Sequence, residues 1–206
     1  MENPESANPI RNVSDTALWV AVYRAMESER KDALFHDPFA RRLAGERGQA
    51  IVDAMPRGKE LAWAMIVRTA VMDELILQCI RDGATSILNL AAGLDTRAYR
   101  LDLPASLHWY HVDFPPMVEY VKDKLTGEKP RCALEYVAAD LREPEQRDSI
   151  FRKAAENGPV LVITEGLLVY LPAENVADLA KALHQSAQAR WWISDLATPL
   201  LLKRLA

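Results

Sequence analysis

The sequence predicts an α/β fold in which a doubly wound, mainly parallel sheet follows an N-terminal helical cap. The chain up to Gly83 carries helical patterns and no strand signal. After Gly83, short apolar runs alternate with helical segments, which is typical of parallel βαβ units. We therefore expect residues 1–83 to form the cap and residues 84–206 to form the core of the same domain. A length of 206 residues is sufficient for one such domain.

Four helices are predicted in the cap. Asp37 followed by Pro38 is typical of an N-cap and a first helical residue, and Gly45 is predicted to end that helix. Gly83 is predicted to end the longest helix, because glycine readily adopts the left-handed conformation that terminates helices. The predicted helices begin near Ser14, begin near Pro38, and span residues 49–55 and 59–81.

Five strands are predicted in the core, and each is separated from the next by a helical segment. The fourth is the most continuously apolar, as expected for a strand that is buried on both faces. Strands that alternate with helices in this way predict a Rossmann-like sheet. The predicted strands are residues 87–91, 107–113, 134–140, 160–164 and 190–195.

The composition argues against several classes of protein. The net charge of -4 is unlike that of a nucleic-acid binder, which is usually basic. No apolar run is long enough to cross a bilayer and the N-terminal residues are polar, so we expect no membrane partner. Cys79 and Cys132 are too few for a disulfide framework and have no metal-ligand spacing. We interpret them as free thiols of a cytoplasmic protein that has no metal site.

The turn after the first strand has the features of a ligand-binding corner. Small residues follow the apolar run, and Gly93 among them allows a ligand to approach the backbone closely. Asp95 and Thr96 are suitable residues to cap the helix that would begin there. A strand, a tight turn and a helix N-terminus together form the binding corner of open α/β sheets.

Acidic residues stand at or just after the ends of four predicted strands. They are Asp113, Asp140, Glu165 and Asp195. Because the carboxyl ends of parallel strands lie along one edge of the sheet, these side chains are expected to face a common ligand site. Asp113 lies twenty positions after Gly93, which is the spacing of a ribose-binding carboxylate in such folds.

The turn does not match a dinucleotide site. The run from Ala91 to Thr96 lacks the G-x-G-x-x-G pattern, and Asp95 would repel a pyrophosphate. A nicotinamide-dependent oxidoreductase is therefore a disfavoured alternative. S-adenosylmethionine carries a sulfonium and an ammonium instead of phosphates, and an acidic edge of the sheet suits both groups.

Several short motifs resemble those of one enzyme family. Arg68, Thr69 and Asp73 lie on the long predicted helix, and AAGLDTRAYR occupies residues 91–100. The further motifs are VDFP from Val112, ADL from Ala139 and TEGLLVYL from Thr164. In order and spacing they resemble the class I S-adenosylmethionine-dependent methyltransferases, specifically the leucine carboxyl methyltransferase-like family with its bacterial O-methyltransferase branch.

The resemblance implies a role for each matched residue in holding S-adenosylmethionine. Arg68 would bind the methionine carboxylate through its two-pronged guanidinium. The resemblance implies that Gly93 gives access to the methionine portion and that Asp95 orders the loop. It implies that Asp113 accepts from the ribose hydroxyls, that Asp140 accepts from the adenine amino group and that Leu141 offers its backbone amide to the ring. Glu165 would lie near the amino group or the sulfonium. Tyr170 would face the acceptor, and Tyr23 would approach it from the cap.

The resemblance also implies transfer of a methyl group to a small-molecule or carboxylate acceptor. The EGLLVYL stretch lacks the Pro-Pro pair typical of amino-group methyltransferases, which favours oxygen as the methyl acceptor. An ionised carboxylate acceptor needs no general base, and we interpret His36, His111 and His184 as structural, so no catalytic residue is assigned. A non-catalytic cofactor-binding or interaction module is the alternative.

Two departures from the family pattern bear on the fold. Ala91 stands where many family members have glycine. Class I methyltransferases usually add an antiparallel pair of strands beside the fifth strand, and the residues after Asp195 are too few to form it. Either this sequence is incomplete, or the core lacks its last two strands and has an exposed sheet edge that favours a homo-oligomer.

Overall fold

Five parallel strands form a single sheet in the computed structural model, which describes residues 13–55 and 58–196. The order in the sheet is β3-β2-β1-β4-β5, so the chain moves outward in one direction and then crosses to the other side. This is the predicted doubly wound, Rossmann-like arrangement. The strands are β1 (Ser86–Leu90), β2 (His108–Asp113), β3 (Ala133–Ala138), β4 (Val160–Thr164) and β5 (Ala189–Ser194).

Helices precede the sheet and connect its strands. The cap consists of α1 (Val13–Ser28), α2 (Ala40–Ala54) and α3 (Gly58–Arg81). The connections contain α4 (Arg97–Arg100), α5 (Pro115–Lys124), α6 (Pro144–Ala155) and α7 (Ala173–Ala182), with a 3-10 turn at Leu168–Tyr170 and a π-helical turn at Leu183–Ala187. The helices predicted near residue 38 and over residues 49–55 are one element here, which is kinked at Gly45 where φ is 58° and ψ is -171°.

The two faces of the sheet carry separate hydrophobic clusters. In β1, Ile87 packs into the cluster that includes the cap, whereas Leu88 packs into the cluster on the opposite face. Alternate residues of a strand point to opposite faces, so one strand contributes to both clusters. All five residues of β1 and of β4 are buried, as expected for central strands of a parallel sheet that is covered on both faces.

The cap is joined to the sheet by a buried ionic contact at Asp37. The Asp37 carboxylate accepts hydrogen bonds from Arg24 Nε at 2.9 Å and from Thr96 Oγ1 at 2.7 Å. Arg24 also donates to the backbone oxygen of Leu94 at 2.6 Å. The helix itself begins at Ala40 with Phe39 as its N-cap. The other Asp37 oxygen accepts from the amide of Phe39 at 3.1 Å, so the predicted capping hydrogen bond is present, two residues before the assigned N-cap.

No helix within residues 13–55 and 58–196 is long and apolar enough to cross a membrane. The expectation about two further strands concerns the chain beyond β5, where residues 197–206 lie outside the described part. The cytoplasmic location and the self-association through the sheet edge stay predictions.

We predict that Thr96→Val lowers the free energy of unfolding by about 2 kcal/mol, because it removes a buried donor from an ionised carboxylate. Thr69→Val is the matched control, since Thr69 is equally buried but donates only to the backbone oxygen of Met65 in its own helix. It should cost less than about 1 kcal/mol. Urea unfolding of both variants tests this, and equal losses would contradict the role given to Thr96.

Candidate active site

A cavity of about 1840 Å³ lies at the carboxyl edge of the sheet, between the cap and the loops that follow the five strands. Its volume exceeds the roughly 300–1,000 Å³ of a typical small-molecule pocket, so it has room for two ligands side by side. Most of the residues predicted from the sequence line it. They are Arg68, Gly93, Asp95, Asp113, Asp140, Leu141, Glu165 and Tyr170.

Tyr23 is a predicted site residue that does not line the cavity. Its side chain is fully buried within the packing of the cap, and its ring meets that of Trp19 edge to face at 5.7 Å. Trp19, and not Tyr23, lines the cavity from α1. The prediction of an acceptor contact for Tyr23 is therefore corrected to a core position. Tyr170 is half exposed at the cavity wall.

Asp113 is fixed by the backbone of the turn that faces it. One carboxylate oxygen accepts from the amide of Gly93 at 2.7 Å, and the other accepts from the amide of Phe114 at 2.7 Å. Burial raises the pKa of Asp113, although these two hydrogen bonds act in the opposite direction. Each oxygen keeps a further lone pair for a ligand, so the carboxylate is oriented before anything binds.

Two residues of the turn after β1 adopt the left-handed conformation. Gly93 has a φ of 53° and Ala91 has a φ of 51°. An alanine in this region is strained by roughly 1–2 kcal/mol relative to glycine. The departure from the family pattern at Ala91 therefore costs conformational energy in the backbone. The first strand ends at Leu90, one residue earlier than predicted.

Asp95 holds the turn together from inside. Its carboxylate accepts from Asn89 Nδ2 at 2.8 Å, from the amide of Arg97 at 2.7 Å and from Arg97 Nη1 at 2.8 Å. Burial alone would raise the pKa of Asp95, but the attraction of Arg97 and other nearby arginines lowers it to about 2. The capping role predicted for Asp95 is present here, whereas Thr96 donates to Asp37 instead of capping α4.

Arg97 was given no role from the sequence, yet its guanidinium lies at the centre of the site. Nε donates to Asp73 at 2.6 Å, and Nη1 donates to Glu165 at 2.6 Å as well as to Asp95. Burial by itself raises the pKa of Glu165, but the attraction of Arg97 and Arg68 outweighs it and holds this pKa below its usual range. The signal for Arg97 was its place in the GLDTRAYR motif.

Arg68 reaches the same acidic group from the cap. Nη1 donates to Asp195 at 2.8 Å, and Nε lies 2.9 Å from a Glu165 oxygen without hydrogen-bond geometry. Nε is buried and has no hydrogen-bond partner among the described residues. The other Asp195 oxygen accepts from the amide of Gly166 at 2.7 Å. Asp195, the acid that follows the fifth strand, thus joins this cluster.

Asp140 and Leu141 lie at the opposite end of the cavity. Asp140 is paired with Arg142, whose Nη2 donates to it at 2.6 Å and whose Nε donates at 3.0 Å. The hydrogen bonds from Arg142 lower the pKa of Asp140. The Arg142 side chain is 69% exposed and extends over the ring of Phe114, so a ligand can displace this contact at little cost.

The three histidines considered from the sequence lie apart from the cavity. His111 is buried, its ring lies 5.0 Å from that of Tyr136, and its Nε2 has no partner among the residues described. Burial lowers the pKa of His111 to about 4, although Asp95 and the backbone of Gly93 act the other way. Groups of three or more His, Cys, Asp or Glu suited to a metal are absent from the described ranges.

The sequence profile of the leucine carboxyl methyltransferase family matches residues 17–184. This chain belongs to that family. Its cavity residues Arg68, Gly93 and Asp113 all lie within the matched stretch, as do Asp140 and Glu165.

Similar proteins share one provisional name, S-adenosyl-L-methionine-dependent methyltransferase. A Streptomyces coelicolor protein is 37% identical over 204 residues, which cover 93% of this chain and 71% of that protein. A Frankia alni protein is 34% identical over 80% of this chain and 61% of its own length. A Mycobacterium tuberculosis protein is 35% identical over 79% and 58%, respectively. This chain therefore spans less than two thirds of the length of each of the last two relatives.

A solved structure has the same fold. The DUF574 family protein from Streptomyces avermitilis aligns with a TM-score of 0.61 over 93% of this chain and 73% of that chain, at 18% sequence identity. The cofactor that the family and the names of its members imply is S-adenosylmethionine.

We predict opposite effects for two substitutions in the turn of this family member. Gly93→Ala should destabilise it by about 1–2 kcal/mol through left-handed strain. Its new Cβ would also lie 3.3 Å from the Cβ of Ala17. Ala91→Gly should be neutral or stabilise by up to about 1 kcal/mol, because it relieves the same strain. Urea unfolding of both variants is the measurement, and a clear loss of stability in Ala91→Gly would contradict the assignment.

We also predict that the stability of the protein falls as the pH drops from about 6.5 to about 4, by roughly 3 kcal/mol. The pKa of His111 is lowered to about 4 in the folded state, so in this range the unfolded chain takes up a proton that the folded chain does not. His111→Gln should flatten this part of the profile, whereas His184→Gln, at an exposed position, should leave it unchanged. Unfolding curves at half-unit pH steps measure the slopes.

Proposed function

We propose that this protein is an S-adenosylmethionine-dependent methyltransferase that methylates an oxygen atom, a carboxylate or a hydroxyl, of its acceptor. The observation that carries the proposal is the convergence of Arg68, Asp113, Asp140 and Glu165 on one cavity at the carboxyl edge of the sheet. Ligands of open α/β sheets bind at this edge.

The residues present fit the charge pattern of the cofactor. Three arginines (Arg68, Arg97, Arg100) and four carboxylates (Asp73, Asp95, Glu165, Asp195) form one connected ionic cluster. Its excess of negative charge favours a cationic ligand. Arg68 lines the cavity with a side chain that is 18% exposed, so its guanidinium is the cation that would bind the carboxylate of the ligand.

We assign the remaining contacts from the positions of the side chains. Asp113, oriented by two backbone amides, would accept from the ribose hydroxyls. Asp140 would accept from the adenine amino group after Arg142 is displaced, and Leu141 lines the wall beside it. Gly93 leaves space for the methionine portion, where a side chain would narrow the cavity.

The reaction places few chemical demands on the chain. When bound, S-adenosylmethionine supplies an activated methyl group on its sulfonium. The protein holds the acceptor in line and keeps water out. A carboxylate acceptor is already ionised near neutral pH, since its ordinary pKa is about 4, and no general base is required. Trp19, Val169 and Tyr170 on the cavity wall offer an apolar surface for the body of such an acceptor.

We predict that Asp113→Asn weakens the binding of S-adenosylhomocysteine about 10- to 100-fold, because an amide cannot accept from two hydroxyls as a carboxylate does. Asp123→Asn, at an exposed position of α5, is the matched control and should bind like the wild type. Isothermal titration calorimetry with both cofactor forms is the measurement. A folded wild-type protein that binds neither form at millimolar concentration would overturn the proposed function.

Two further assays separate the alternatives. Transfer of a labelled methyl group to pooled metabolite extracts distinguishes an enzyme from a module that only binds the cofactor. Fluorescence titration with NADH tests the oxidoreductase alternative, which the turn sequence disfavours. Binding of S-adenosylhomocysteine without any methyl transfer would support the non-catalytic module instead.

A further inference from the structure

The guanidinium of Arg97 contacts carboxylates from three separate segments of the chain. Asp73 comes from α3, Asp95 from the turn after β1, and Glu165 from the loop after β4. The Arg97 side chain is only 3% exposed, so these contacts are shielded from solvent. A buried cation with three carboxylates around it fixes the relative positions of the segments that carry them.

We propose that Arg97 is a positioning residue of the cofactor site: it keeps Glu165 ionised and directed into the cavity, where Glu165 meets the positively charged end of the cofactor. This inference rests on the proposed function. It concerns a residue that acts through Glu165 and does not itself touch the cofactor.

The electrostatic surroundings of Glu165 support this role. Arg68 and Arg97 face Glu165 as cations, and Asp95 and Asp195 lie beside it as anions. Burial and Asp95 both raise the pKa of Glu165, and the two arginines together lower it. Arg68 is shared with Asp195 and would also bind the cofactor carboxylate. Arg97 is therefore the cation that stays committed to Glu165 when a ligand is present.

Asp73 fixes the orientation of the Arg97 guanidinium, and this contact supports the same conclusion. Asp73 accepts from Arg97 Nε at 2.6 Å and from both terminal nitrogens of Arg100 at 2.6 and 2.8 Å. With Nε held by Asp73, the guanidinium cannot rotate away from Glu165. Asp73 lies on the same helix as Arg68, so α3 carries both the cation proposed to bind the ligand and the anchor of Arg97.

The test is the pH dependence of S-adenosylhomocysteine binding in Arg97→Gln, measured by calorimetry between pH 8.0 and 5.5. Without Arg97, burial and Asp95 should raise the pKa of Glu165, so that Glu165 takes up a proton as the pH falls. We expect Arg97→Gln to lose about tenfold more affinity across this range than the wild type loses. Any contribution of Asp113 to the pH dependence is common to both proteins and cancels in the comparison.

Two variants separate this effect from simple loss of stability. Arg97→Lys keeps the positive charge and should restore the wild-type pH profile, even though it cannot bridge three carboxylates. Arg24→Gln removes a buried arginine from Asp37, outside the ionic cluster that holds Glu165, so it should lower the melting temperature and leave the pH profile of binding unchanged. An Arg97→Gln profile parallel to that of the wild type would overturn the proposal.

A double substitution keeps the proposal testable if Arg97→Gln does not fold. Glu165→Gln together with Arg97→Gln removes a cation and an anion as a pair, and should bind S-adenosylhomocysteine within about twofold of Glu165→Gln alone. A double variant that binds at least about fivefold more weakly than Glu165→Gln would show that Arg97 acts by another route. Failure of the wild type to bind would instead refute the proposed function itself.

Discussion

The packing of the cap on the edge of the sheet depends on one physical constraint. The buried guanidinium of Arg97 requires negatively charged partners, and these come from α3, the turn after β1 and the loop after β4. Removing one partner of such a group leaves an uncompensated charge in a medium of low dielectric constant, which is strongly destabilising. The cap and the sheet edge must therefore meet in a single geometry. Asp37 repeats the principle nearby, where it joins Arg24 of the cap to the turn after β1 through Thr96.

The same constraint gives the cavity its electrostatic character. Each arginine of the cluster is held by carboxylates, and the four carboxylates outnumber the three arginines, so this cluster carries a net negative charge while its donors and acceptors are fixed. A zwitterionic ligand with an additional positive charge suits such a surface better than a phosphate does. Preorganised charges of this kind reduce the reorganisation that binding requires. The apolar wall formed by Trp19 and its neighbours is a chemically different region, which the proposed function assigns to the methyl acceptor.

The sequence predicted the strands and the gathering of their acidic ends because both follow from local rules. Val160–Thr164 was predicted with its observed bounds, since a strand that is buried on both faces must be apolar throughout. Asp113 and Glu165 reached one cavity because parallel strands end at one edge. The error at Tyr23 arose because an aromatic side chain on a helix can pack into the core instead of facing a ligand. The contact of Asp37 with the turn after β1 was missed because its partner, Thr96, is far away in the chain. Periodicity identifies an apolar face and says nothing of which partner a polar group selects.

The sequence by itself determined the fold class, the edge of the sheet at which the acidic residues meet and the family, because periodicity, strand-end acids and the motif spacing are properties of the linear chain. Only the tertiary structure decided how the charges pair. It placed Arg97 at the centre of three carboxylates, gave Arg68 both Glu165 and Asp195 as neighbours, and put Ala91 in a left-handed conformation. These outcomes depend on distances between residues that are far apart in the chain, and a distance of that kind exists only after the cap has packed on the sheet.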